Sequence, residues 1–276
     1  MTNCKFLAID AGGTFFKYAL LNEKAEFLSE IKKIPINENG TVDVIINSYK
    51  DIFDDFEDFS FVTVSTPGPF DYENGISLMQ HKFRSIYGVP LRDRLEKLSG
   101  KKVCFLSDSN AFLLGESYGV YENSIGITIG TGLGFSAMQN GKLCTNEKGG
   151  PCEKLYCLPY KSLTAEDYIS GRGIELRYKN KTGNSFDAKK IAELAENGDL
   201  TALKVYQDMG IAIGEILSPF VSKYETNILI IGGQVARSID LFEKQISLNI
   251  PVSASLNVTG AALIGAVYHA KEYFNI

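Results

Sequence analysis

Phe6-Leu7-Ala8-Ile9-Asp10-Ala11-Gly12-Gly13-Thr14 is an apolar run that stops on a carboxylate and opens into paired glycines. The run is short enough for a strand, and the glycines end it. A second apolar run, Phe16 to Leu21, returns from the turn and stops at Asn22-Glu23. About 120 residues later the same order recurs. Ser124 to Ile129 is an apolar strand, Gly130-Thr131-Gly132-Leu133-Gly134 breaks it, and Phe135 to Gln139 returns to a hairpin turn at Asn140-Gly141. Two passages of strand, glycine turn, strand and turn read as a degenerate internal duplication. A third transition, Ile231-Gly232-Gly233-Gln234, ends the all-apolar run that starts at Asn227.

The segments between these landmarks fill out an α/β pattern. A weakly alternating third strand is expected at Glu26 to Ile31. Val42, Ile45, Ile46, Tyr49, Ile52 and Phe53 share one helical face. Phe61 to Ser65 reads as a strand broken by Thr66-Pro67-Gly68-Pro69. Leu91, Leu95 and Leu98 suggest a helix, Val103 to Leu106 a strand and Asn110 to Tyr118 a helix. The second half is more helical. Thr164 with Asp167, and Ser185 followed by Asp187, resemble helix starts, and Asp199 caps a helix that Pro219 is expected to bend or divide. The last helix begins near Gly260. No linker separates the halves, so the reading is two domains, 1–118 and 119–259, with helix 260–276 returning to the first and a cleft between them.

Composition narrows the classes. The chain has 276 residues, 45% of them hydrophobic and 22% charged, which excludes disorder and coiled coil. No apolar run approaches the roughly 20 residues of a membrane span, and no signal peptide is read. The net charge of −5 argues against a nucleic-acid or membrane-surface binder, which needs a basic face. Five cysteines, an odd number, point to reduced thiols and a cytoplasmic location. With only two histidines, His81 and His269, a His-rich metal site is not expected.

The chemistry concentrates at strand ends. Glycine lets backbone N–H groups approach an anion closely, and two glycine hairpins facing each other would grip a phosphate chain. Neither is a P-loop or a dinucleotide fingerprint. Asp10 ends its strand beside the first turn, where a carboxylate either holds Mg²⁺ through water or bonds its own backbone. Asp108 sits between a strand and a helix, where it either accepts a proton from a substrate hydroxyl or caps the helix. His81, after the Pro-Gly-Pro segment, is either near the substrate or a surface histidine.

Taken in order, Asp10-Ala11-Gly12-Gly13-Thr14, Thr66-Pro67-Gly68-Pro69, Asp108-Ser109-Asn110 with Gly115-Glu116, Gly130 to Gly134, Glu166 to Arg172, Ile231 to Gln234 and Gly260 to Ala266 resemble the ROK family. That family contains bacterial sugar kinases, sugar-responsive repressors and uncharacterised members. The resemblance implies two ribonuclease-H-like halves of the actin/hexokinase superfold with ATP in the cleft. It assigns Gly12, Gly13, Thr14 and Lys17 to the first phosphate loop, Gly130, Thr131 and Gly132 to the second, and Gly232, Gly233 and Gln234 to the adenosine side. Asp108 matches the family's catalytic base, Asn110 a sugar ligand, and Gly68 a backbone contact with the sugar. The implied activity is ATP- and Mg²⁺-dependent phosphorylation of a primary hydroxyl, O6 of a hexose such as glucose, or of N-acetylmannosamine or a β-glucoside. Relatives are often dimers, which implies a homodimer.

The departures are local. Where the family carries Gly-Glu-Ile-Gly-His, this chain reads Pro151-Cys152-Glu153-Lys154-Leu155-Tyr156. Glu153 aligns with the family's sugar-binding Glu and Tyr156 with its His; Glu166 aligns with the later sugar-binding Glu. The family's zinc uses that His and a close cysteine set. Here Cys144, Cys152 and Cys157 are loosely spaced, so zinc is not expected. The rival reading is a non-catalytic sugar sensor. A DNA-binding repressor is not expected from an acidic chain with nine residues before Asp10, and a chaperone ATPase of the same superfold would need a longer chain.

Overall fold

Strand β1 (Lys5–Ala11) buries Phe6, Leu7, Ala8 and Ile9 in succession, the pattern of a strand covered on both faces. It pairs antiparallel with β2 (Phe15–Asn22), which pairs antiparallel with β3 (Lys32–Pro35). On its other edge β1 runs parallel to β4 (Phe61–Thr66). The computed structural model describes residues 4–255, 257 and 260–276. Helix α1 (Val42–Asp54) buries Ile45, Tyr49, Ile52 and Phe53, the expected face, and starts where the Thr41 hydroxyl accepts the Val44 N–H. A small hairpin, β5 (Phe70–Asp71) with β6 (Ile76–Ser77), follows the Pro-Gly-Pro segment. Helix α2 (Leu91–Ser99) leads to β7 (Lys102–Ser107), parallel to β4, and then to α3 (Asp108–Ser117). The sheet order is β3-β2-β1-β4-β7.

The third strand lies beyond the stretch expected to form it. Glu26 to Ile31 makes only a bridge, Leu21 to Phe27, because the Asn22 side chain accepts the N–H groups of Lys24 and Glu26 and coils the chain locally.

The second unit repeats the plan. Strand β8 (Ser124–Ile129) pairs antiparallel with β9 (Leu133–Gln139), and β9 with β10 (Lys142–Leu143). Asn140 and Gly141 both have positive φ, 53° and 74°, as the two-residue turn between them requires. After the small β11 (Pro159–Tyr160) and β12 (Leu163–Thr164) hairpin come α4 (Ala165–Tyr168), α5 (Gly171–Thr182), α6 (Ala188–Glu196) and α7 (Leu200–Lys223). Thr164 and Asp167 form a full capping box. Asp187, rather than Ser185, caps α6, and Asp199 caps α7. Pro219 leaves α7 undivided, as one helix of 24 residues. Strand β13 (Ile228–Gly232) runs parallel to β8 and to β14 (Val252–Ala254). The order β10-β9-β8-β13-β14 has the same directions as the first sheet, so the duplication read in the sequence is a repeated topology.

The chain divides into Met1–Tyr118 with Thr145–Cys152 and Thr259–Ile276, and Gly119–Cys144 with Glu153–Val258. The segment 145–152, placed by the sequence reading in domain 119–259, groups with the first unit. Its Lys148 carbonyl accepts the Tyr72 N–H at 2.8 Å, next to the first hairpin. Helix α8 (Gly260–Phe274) packs Leu263, Val267 and Ala270 against Phe6, Ala8 and Cys104 on one face of the first sheet. The other face carries Leu7 and Ile9 against Tyr49 and Ile52 of α1. At the crossing of α3 and α8, a Cβ on Gly115 would stand 1.9 Å from the Ala261 carbonyl oxygen, and one on Gly265 would stand 1.9 Å from that of Ala111. Only hydrogen fits there, so the two backbones touch. Among the described residues, no helix is long and apolar enough to cross a membrane.

Candidate active site

The first unit gathers its carboxylates at the ends of two parallel strands. Asp10 stands near the end of β1, and the chain turns at once, with the Gly12 N–H on the Asp10 carbonyl at 3.1 Å. The Ser65 hydroxyl, from neighbouring β4, donates to Asp10 Oδ1 at 3.0 Å, and Lys17 Nζ lies 3.8 Å from Oδ2. Burial raises the Asp10 pKa; Lys17 and the Ser65 hydrogen bond only partly offset it. Thr14 is exposed on the return from the turn, and its carbonyl accepts the Ile36 N–H at 3.0 Å.

Asp108 opens α3 without capping it. Ser107 is the cap, its hydroxyl accepting the Asn110 N–H at 3.1 Å, and Asp108 occupies the first helical position. The capping reading of Asp108 therefore falls. Its Oδ1 accepts its neighbour Ser109's N–H at 2.8 Å. Asp108 presents accessible surface, yet the protein packed around it withholds water, which raises its pKa. The charge of Asp10 adds to the rise; the Ser109 N–H and the Lys82 ammonium oppose it. A carboxylate that holds a proton more readily than usual and still faces solvent suits proton abstraction. Asn110, the next candidate, is fully buried. Gly68 is exposed in a turn whose Gly68–Pro69 bond is cis; the buried Tyr72 donates to the Thr66 carbonyl at 3.1 Å and feels the charge of Asp108.

The second unit places its glycine turn between β8 and β9. The Gly130 N–H bonds the Gly132 carbonyl at 3.0 Å, and the Gly130 carbonyl accepts the Gly171 N–H from the start of α5 at 2.8 Å. Glu166 on α4 reaches this turn directly: its Oε2 accepts the Leu133 N–H at 3.0 Å. Arg172 pairs with Glu166 Oε1 and donates to the Thr131 carbonyl at 3.2 Å. At the end of β13, Gly233 has φ 88°, and a Cβ there would meet the Ile129 carbonyl oxygen at 2.4 Å. Gly232 is buried beside it, and Gln234 is exposed at the start of a 3₁₀ segment.

Glu153 and Tyr156 lie apart from that arrangement in their bonding. Glu153 Oε1 accepts from Lys223 Nζ at 2.5 Å and from the Tyr224 hydroxyl at 2.7 Å. Burial pulls its pKa upward, but these two donors outweigh that and hold the carboxyl below its ordinary value. Tyr156 is 47% exposed, and burial of its remainder, with the charges of Cys157 and Glu166, raises its phenol.

Several contributors escaped the sequence reading. Ser65 lies in an ordinary apolar strand, Arg172 follows Ser170-Gly171 with no pattern of its own, and Lys82 stands beside the more conspicuous His81. His81 is exposed, and Lys82 turns toward Gly13. No local pattern marks Lys82, because the contact joins residues 69 positions apart.

Two units of one strand order, each with a glycine turn between its first two strands, define an α/β protein of the actin-like ATPase fold. A ROK hexokinase from Thermus thermophilus shares that fold, with a TM-score of 0.84 over 98% of this chain and 99% of that one at 21% identity. A ROK glucokinase from Streptomyces griseus, solved with glucose and AMPPNP, matches with a TM-score of 0.79 over 97% and 99% at 22% identity. In sequence, a glucokinase from Thermotoga maritima is 30% identical over 99% of both chains. The ROK family pattern matches residues 6–254, and the chain belongs to that family.

Proposed function

We propose that this chain is an ATP:sugar phosphotransferase that phosphorylates the primary hydroxyl, O6, of a hexose, with glucose the foremost candidate. The observation that carries this reading is Asp108: a carboxyl of raised pKa, open to solvent, in the unit that also presents Asp10 and the Gly12-Gly13 turn. Its kinship with a glucokinase along the whole chain supports the substrate class.

The chemistry follows from what phosphoryl transfer needs. Asp108 accepts the O6 proton as O6 bonds to the γ-phosphorus, and the bond from that phosphorus to the bridging oxygen breaks to release ADP. The backbone N–H groups of Gly12, Gly13 and Thr14, with Lys17, form one phosphate loop, and those of Gly130, Thr131 and Gly132 form another. Gly232, Gly233 and Gln234 serve the adenosine. Gly68, Asn110 and Glu166 orient the sugar; Glu153 and Tyr156 do so once Glu153 exchanges its present donors for hydroxyls.

The residues also fit Mg²⁺. Asp10 is a hard oxygen donor at the end of β1, and its nearest cation, Lys17 Nζ, stands 3.8 Å from Oδ2. Asp10 would hold the ion through water. Bound there, Mg²⁺ would supply charge neutralisation on the phosphates.

An ADP-release assay over glucose, fructose, N-acetylmannosamine and cellobiose tests the reading. Sugar-dependent ADP release, with a hexose 6-phosphate as product, is expected. Sugar binding without turnover of any of them would favour the sensor instead.

A further inference from the structure

The first unit holds a half-buried lysine that the resemblance does not use. Lys82 lies in the segment after the β5–β6 hairpin. Its Nζ stands 3.6 Å, and its Cδ 3.8 Å, from the point a Cβ on Gly13 would occupy. Glu38 Oε2 stands 2.9 Å from the same point on that turn.

Packing fixes the lysine there. Phe83, the next residue, is 2% exposed and has left-handed backbone with φ 46°. Its ring lies 6.2 Å from that of Phe16, two residues beyond Thr14 on β2. The segment is thus bolted to the strand that leaves the glycine turn. Lys17, the other lysine assigned to this loop, already has Asp10 beside it at 3.8 Å. Among the described residues Lys82 forms neither an ion pair within 4.0 Å nor a side-chain hydrogen bond, although Glu38 flanks the same turn. A half-buried ammonium without a partner is costly unless an anion completes its shell.

We propose that Lys82 is a phosphate ligand of the first loop and contacts the phosphoryl group that is transferred. This inference rests on the kinase reading. Its chemistry is charge balance. Asp10, Asp108 and Glu38 bring three carboxylates to this face against Lys17 and Lys82, so an incoming polyphosphate meets a deficit of positive charge. Among the described residues of this turn, Lys82 offers an ammonium with no ion pair of its own that can offset it beside Mg²⁺. Its field at Asp108 is a second sign that it points into the same space. A point charge on a flexible stem suits a group that moves from ATP to sugar better than a fixed bidentate clamp.

The test is calorimetric binding of Mg·AMPPNP and of Mg·ADP to the whole chain, for wild type, Lys82→Met and Lys82→Arg, with glucose binding as a control. A charge-assisted contact to the terminal phosphoryl predicts that Lys82→Met weakens AMPPNP about tenfold or more. ADP and glucose should each change by less than about threefold, and Lys82→Arg should recover part of the loss. Equal affinity of wild type and Lys82→Met for AMPPNP would overturn the proposal. So would a loss confined to glucose, which would make Lys82 a sugar ligand. Melting curves of both variants report folding; if Lys82→Met unfolds, Lys82→Gln takes its place in the same comparison. Because binding is read without turnover, a wild type that binds AMPPNP through Lys82 but phosphorylates no sugar would sink the kinase reading and leave this one standing.

Discussion

At the scale of single residues, environment rather than residue type assigns the roles. Asp10 and Asp108 are both aspartates at strand ends, and both are raised by burial, but Lys17 and Ser65 hold one while the other keeps an open face. The sequence left Asp108 divided between base and cap; the Ser107 hydroxyl on the Asn110 N–H removes the second option. His269 shows the opposite use of burial. It lies on α8 with Nε2 buried and unpartnered among the described residues. Burial lowers its pKa to about 4 from 6.5, the nearby Arg92 guanidinium adds to the fall, and a hydrogen bond with the Phe105 backbone opposes it. Between these values the unfolded chain binds the proton and the folded chain does not. Stability is therefore unaffected by this group above pH 6.5 and falls as pH drops toward about 4, by at most about 3 kcal/mol. In His269→Asn, melting temperature should decline less steeply between pH 6.5 and 5 than in wild type. Parallel slopes would exclude a buried neutral imidazole.

At the scale of elements, the turns were more legible than the crossings. Asp10 to Thr14 and Gly130 to Gly134 announce themselves because a short apolar run ending in glycine has few other readings. The third strand slipped past Ile31 because the Asn22 turn was invisible to hydrophobic alternation. Gly115 and Gly265 stood out only as parts of a resemblance; their reason is the contact of α3 with α8. That contact seats α3, the helix that begins at Asp108, on α8. Gly265→Ala must push the helices apart against the Ala111 carbonyl. A loss of about 1–3 kcal/mol is expected in urea unfolding, and more for Gly265→Val. If activity per folded molecule falls alongside stability, α3 has moved; an unchanged midpoint would show that the helices are not in backbone contact.

At the scale of the whole molecule, repetition was the most informative signal. Two sheets of one order explain why a chain of 276 residues carries part of its glycine at matching strand ends, as at Gly12-Gly13 and Gly130 to Gly132, and its last helix groups with its first strands. The segment 145–152 was not legible, because Lys148 and Tyr72 are joined by one backbone hydrogen bond across 76 positions. The same limit hid Lys82. On the proposed reading Glu153, Tyr156 and Glu166 set sugar choice, and Tyr156 stands where the family carries His, so the ADP-release screen should rank sugars differently in Tyr156→His than in wild type. An unchanged ranking would remove Tyr156 from the sugar site.

On the proposed reading Asp108 takes the proton from the sugar hydroxyl. The most direct measurement of this step is kcat in Asp108→Asn beside calorimetric binding of glucose to the same variant. The asparagine keeps the shape and removes the base, so kcat should fall about 100-fold or more while glucose affinity stays within about threefold. A kcat near that of wild type, with glucose still bound, would contradict the account.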